Sequence, residues 1–174
     1  MSLSHLNPFA ISGLLIVFLH LPLLIILLIN GKTKASKMYG FQAIAIMLWG
    51  AGSFLIGMNK NPDAAVSLTK ISFLPVIFIP ILFYHTVLFL TNEKQKKLLI
   101  VMYLQGIIFS TLTLFNMMFL CPRYVFNSFY VPSGSFLYLL TFICWLLIVY
   151  IAHTQLWKYY KKVILSKKNK LFSL

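Results

Sequence analysis

The chain has 174 residues, 60% apolar and only 10% charged, which is more apolar surface than a soluble domain of this size could hide, so its expected solvent is lipid. A net charge of +13 would suit nucleic acid, but the 15 basic residues sit in short segments between apolar runs, the distribution that membrane topology produces; nucleic acid is excluded as a partner. The two acids, Asp63 and Glu93, both fall between those runs, and Cys121 and Cys144 form no metal motif.

Residues 1–8 carry no Lys or Arg, unlike the basic start of a secretory signal. Residues 9–30 form the first expected span, longer than a signal core and followed by Asn30-Gly31 and three lysines instead of a small-residue cleavage site. The second, 38–58, is rich in small residues; Ser53 and Gly57, four apart on one face, suit close helix packing at a central position. Asn61 and Pro62 then read as a cap and first residue of a helix. The 21 residues 71–91 carry no charged side chain and reach about 31 Å as a helix, the thickness of a bilayer's hydrocarbon core. Pro75 and Pro80 lie inside this third span, where neighbouring helices can absorb them, and predict a bend over residues 78–80.

A polar turn at residues 92–97 leads to the fourth expected span, 98–120, in which Gly106 and Ser110 repeat the small-residue spacing. Residues 121–134 read as the longest connection, with Pro122, Pro132 and four aromatics that serve either as headgroup anchors or as a lid over a ligand. The fifth span is 135–157. Six lysines follow it, and the last four residues read as the opening of another apolar segment. Twelve of the 15 Lys and Arg fall on one side of this map, which places the N-terminus outside and the tail in the cytoplasm.

Asn61-Pro62-Asp63-Ala64-Ala65, the basic Lys70, the run from Phe78-Ile79-Pro80 to Tyr84-His85, and Leu90-Thr91 together resemble the third-helix signature of the N-terminal seven-helix membrane region of bacterial sensor histidine kinases. The resemblance implies an input module of the bacterial inner membrane, here its first five helices, which relays an unknown small-molecule signal to a cytoplasmic output domain of kinase, PAS or cyclase type. It also marks Pro80 and His85 as positions of interest, either as a kink and a satisfied polar group or as ligand contacts.

Four histidines invite closer reading. His85 and His153 lie within about 6–9 Å of the cytoplasmic ends of their spans, a shared depth that would let them hold one haem or metal. The simpler reading is an imidazole bonded to a carbonyl or hydroxyl, and no cofactor is assigned. His20 sits at mid-membrane and should face the bundle interior, where Gln105, Thr111, Thr113 or Asn116 are conceivable partners. His5 precedes the first span. No span holds Asp or Glu, which argues against a proton pump and against intramembrane proteolysis by paired aspartates. The glycine-rich, phosphate-cradling segments of a kinase are also missing, so the chain is not read as an enzyme. The expected protein is an all-α, polytopic membrane bundle of five spans in one domain, with Pro80, His85, His20 and His153 as kink or signal-pocket positions. A homodimer is a further possible partner, and the alternative reading is a small carrier or accessory subunit of a transporter.

Overall fold

The computed structural model describes residues 7–126 and 128–171, so His5 and the last three residues of the tail lie outside it. The order is α1 (Pro8–Asn30), α2 (Lys34–Met58), α3 (Pro62–Thr91), α4 (Lys96–Leu114), β1 (Phe119–Val125), β2 (Phe129–Gly134) and α5 (Phe136–Leu171). Among the described residues, five helices are long and apolar enough to cross a membrane. Their surfaces fit that solvent: Leu19, Leu28 and Ile29 of α1 are each more than 70% exposed.

Local chemistry sets the helix ends. Asn7 Oδ1 accepts from Ala10 N at 2.8 Å to cap α1, while its Nδ2 donates to Gly57 O at 2.6 Å and pins that end to α2. Thr33 and Ser36 close a reciprocal capping box at the start of α2. Asn61 Oδ1 accepts from Asp63 N and Ala64 N at the start of α3, as the Asn-Pro pair predicts. α3 then runs unbroken through Pro75 and Pro80.

Two expectations are corrected beyond this point. The fourth helix stops at Leu114 instead of continuing to residue 120. Asn116 adopts the left-handed conformation (φ 62°), and bonds from Asn116 N to Thr113 O and from Met117 N to Leu112 O close the helix. The long connection is also no open loop, so the fold is not purely helical. β1 and β2 pair antiparallel, with Pro122 opposite Pro132, Tyr124 opposite Tyr130, and a bulge between Phe119 and Pro122. In a two-stranded ribbon each strand has a free edge, and proline, which lacks an N–H, is tolerated there. The fifth helix outruns its expected span: its 36 residues reach about 54 Å.

α3 is the hub, in contact with α2, α4, α5 and both strands, while α1 packs on α2. Small residues permit the α1–α2–α3 contacts. Gly13 meets the backbone of Gly50 and Phe54, and a Cβ on Gly52 would collide with Ser72. Ser53 and Gly57, the pair picked out by spacing, meet Gly13 and Ala10 of α1. On its other side α3 builds the main core: Ile81, Tyr84, Val87 and Leu88 close on Met102 of α4 and on Ile148 and Ala152 of α5. A second cluster of Ile77, Phe109 and Met118 lies nearer the hairpin.

Candidate functional site

α1 leans on α2 and α5 on α3, which leaves a half-open cleft between α1 and α5 over the faces of α2 and α3. Its mid-bundle chamber, about 480 Å³, has walls from four helices: Ile16 and His20, then Ile46 and Trp49, then Val76 and Ile79, then Phe142 and Trp145. A second chamber of about 290 Å³ lies toward the hairpin and shares Trp49, Phe73 and Tyr138 with the first. Phe119, Val131 and Pro132 of the hairpin roof it, and Ser53, Thr69 and Ser72 give it a polar side.

The hairpin is held by its inward aromatics. Phe129 is 2% exposed and stacks on Phe9 of α1 with centroids 4.8 Å apart, and Phe119 meets Phe73 edge-on at 5.3 Å. Phe126 is 90% exposed, with its ring centroid 6.4 Å from that of Phe129. Of the four aromatics weighed for this segment, Phe129 is therefore turned inward and Phe126 outward to the surface, while Phe119, just before the segment, borders the second chamber.

His20 lines the mid-bundle chamber, half-buried. Its partner is none of the four residues conceived for it: Nδ1 lies 2.9 Å from Ile16 O, one turn back on its own helix. Thr111 and Thr113 likewise bond carbonyls of their own helix. The carbonyl oxygen only accepts, so Nδ1 carries a proton, and in the neutral tautomer that fits this contact Nε2 is an acceptor. Trp145, across the chamber, has a buried Nε1–H with no partner among the described residues. Pro80 is fully buried in α3. Because it has no N–H, the Val76 carbonyl one turn earlier loses its helical donor beside the same chamber.

His85 and His153 serve other surroundings. The half-buried His85 faces α4: Nδ1 lies 3.0 Å from Tyr103 Oη, and the ring stacks on Phe89 at 4.8 Å. The exposed His153 bonds Val149 O through Nδ1 at 2.8 Å and lies against Phe83. Their similar depth therefore does not aim them at one ligand. Among the described residues no cluster of three or more His, Cys, Asp or Glu could hold a metal ion.

The lysine-bearing end carries a polar chain that no sequence motif singles out. The fully buried Tyr84 donates from Oη to Gln95 Oε1 at 2.6 Å, and Gln95 Nε2 donates to Gln155 Oε1 at 3.3 Å. This chain links α3, the turn before α4, and α5. The one local hint was the position of Gln95 between Lys94 and Lys96 in a turn that is mostly charged. The chain matches no family model, no curated protein and no solved structure.

Proposed function

We propose that this chain is a membrane-embedded sensory input module, with its N-terminus and hairpin outside and its lysine-rich end in the cytoplasm. A small or membrane-soluble signal enters the cleft and favours one packing of α5 against α3. The inner end of α5 then biases a cytoplasmic output domain of kinase, PAS or cyclase type. One observation carries this reading. α5 walls the cleft through Tyr138 and Trp145 and continues as the same unbroken helix into the lysine segment. The third-helix resemblance supports it, as does the polar chain from Tyr84 through Gln95 to Gln155, because displacement of α5 at that depth must break or re-form a specific contact.

The orientation is tested by reporter enzymes joined at Glu93, Arg123 and the C-terminus, with cytoplasmic activity expected at the first and last only. The relay is tested by fusing the chain to a kinase output and inserting one to four alanines after Ile164. Each alanine rotates the downstream segment by about 100°, so kinase activity should rise and fall with the helical period. Activity indifferent to insertion length, together with solute flux through reconstituted vesicles, would favour the rival carrier reading.

A further inference from the structure

The mid-bundle chamber is selective in its chemistry. None of its lining residues carries a formal charge, so an ion bound there would be stripped of water without a counter-charge. Its walls are aliphatic and aromatic, and its volume of about 480 Å³ falls within the range of sites for small organic ligands. It opens along one side, where α1 and α5 do not close on each other, at a depth that lipid reaches if the helices cross a bilayer.

The polar groups at this chamber are few. Thr141 spends its hydroxyl on Leu137 O at 2.9 Å, which leaves His20, Trp145, the Tyr138 hydroxyl and the Val76 carbonyl freed by Pro80. His20 Nδ1 is committed to Ile16 O, so Nε2 is a lone-pair acceptor that calls for a donor. The Trp145 Nε1–H has no partner among the described residues but is itself buried, so the chamber is read through the acceptors His20 Nε2 and the Val76 carbonyl. A ketone or an ester offers only acceptors and an alkane offers nothing, whereas a hydroxyl supplies the donor.

Resting on the sensory reading, we infer that the cleft takes a neutral, lipid-soluble alcohol or phenol. Its hydroxyl donates to His20 Nε2, and its apolar body lies along Ile46, Val76, Ile79 and Phe142. The ligand enters sideways from the lipid between α1 and α5, and a longer tail continues beneath the hairpin past Trp49 and Phe73, which the two chambers share.

The intrinsic fluorophores allow a direct test. The chain has three tryptophans, and with Trp157→Phe the remaining two, Trp49 and Trp145, both line the cleft. The full chain is reconstituted in phosphatidylcholine vesicles and titrated with dibromo-octadecanol, with dibromo-octadecane and dibromo-octadecanoate as comparisons. The alcohol should quench saturably, with an apparent affinity at least tenfold above that of the other two. His20→Leu should erase that tenfold preference, and Val76→Phe, which fills the chamber, should remove the saturable phase. Circular dichroism melts of each variant establish that it is folded. Quenching linear in mole fraction and equal for all three probes would overturn the inference, as would an alcohol curve unchanged by either variant. Saturable, His20-dependent quenching beside an output indifferent to helical phase would remove the sensory reading and leave the ligand assignment standing. Phase-dependent output with linear quenching would do the reverse.

Discussion

Tyr84→Phe deletes one oxygen from the centre of the main core and tests whether α3, α4 and α5 are tied together at the lysine-bearing end. The ring itself is fully buried against Val87, Met102 and Ile148, and phenylalanine preserves that packing. What disappears is the 2.6 Å bond to Gln95 Oε1. Leaving a buried acceptor unpaired costs about 1–3 kcal/mol, but Gln95 is half-exposed and water can reach it, so the expected loss falls near 1 kcal/mol, roughly fivefold in the folding constant. Gln155→Leu removes the longer 3.3 Å contact on the same amide and should cost less. Because both changes act through Gln95, the double variant should cost measurably less than the two singles together. Unfolding in mixed micelles, followed by circular dichroism as the fraction of denaturing detergent rises, measures all four corners of the cycle. A Tyr84→Phe protein within about 0.3 kcal/mol of the parent, or strict additivity, would refute the idea that one polar chain joins these helices.

Three further outcomes are expected from close contacts. Gly52→Ala drives a Cβ into the side chain of Ser72 and should destabilise the α2–α3 contact by about 1–3 kcal/mol, and Ser72→Gly in the same chain should recover most of that in the same unfolding assay. Asn7→Ala loses both the cap on α1 and the bond to Gly57 O. It should cost about 1–2 kcal/mol and speed amide exchange over the first turn of α1, measured by hydrogen-exchange mass spectrometry. Phe129→Ala removes the ring that seats the hairpin on Phe9, at a cost of about 3–5 kcal/mol to that local packing, and should open the strand pair to proteolysis while sparing α4 and α5.

The helices were legible because their causes are local. Charge-free runs, Asn61 before Pro62, and Ser53 four residues before Gly57 each act within a turn or two of backbone, and each matches what the fold displays. The end of α4 was missed because apolar residues continue past Leu114 while the stop depends on the backbone conformation of Asn116. The hairpin was missed because Pro122 and Pro132 speak against strands, and only their placement opposite each other in a two-stranded ribbon makes them harmless.

At the candidate site, sequence alone picked His20 and His153 by rarity and depth, His85 by depth and the third-helix resemblance, and Pro80 by that resemblance and its place inside a span, and tertiary structure then divided them. His20 and the carbonyl freed by Pro80 border the cleft, whereas His85 turns to Tyr103 and His153 to its own helix. Apolar runs and caps specify rods and their ends, since a helix satisfies its backbone within itself. A space between rods has no such local code. The cleft exists because α1 settles chiefly on α2 and α5 on α3, and that choice is made by shape complementarity between segments far apart in the chain.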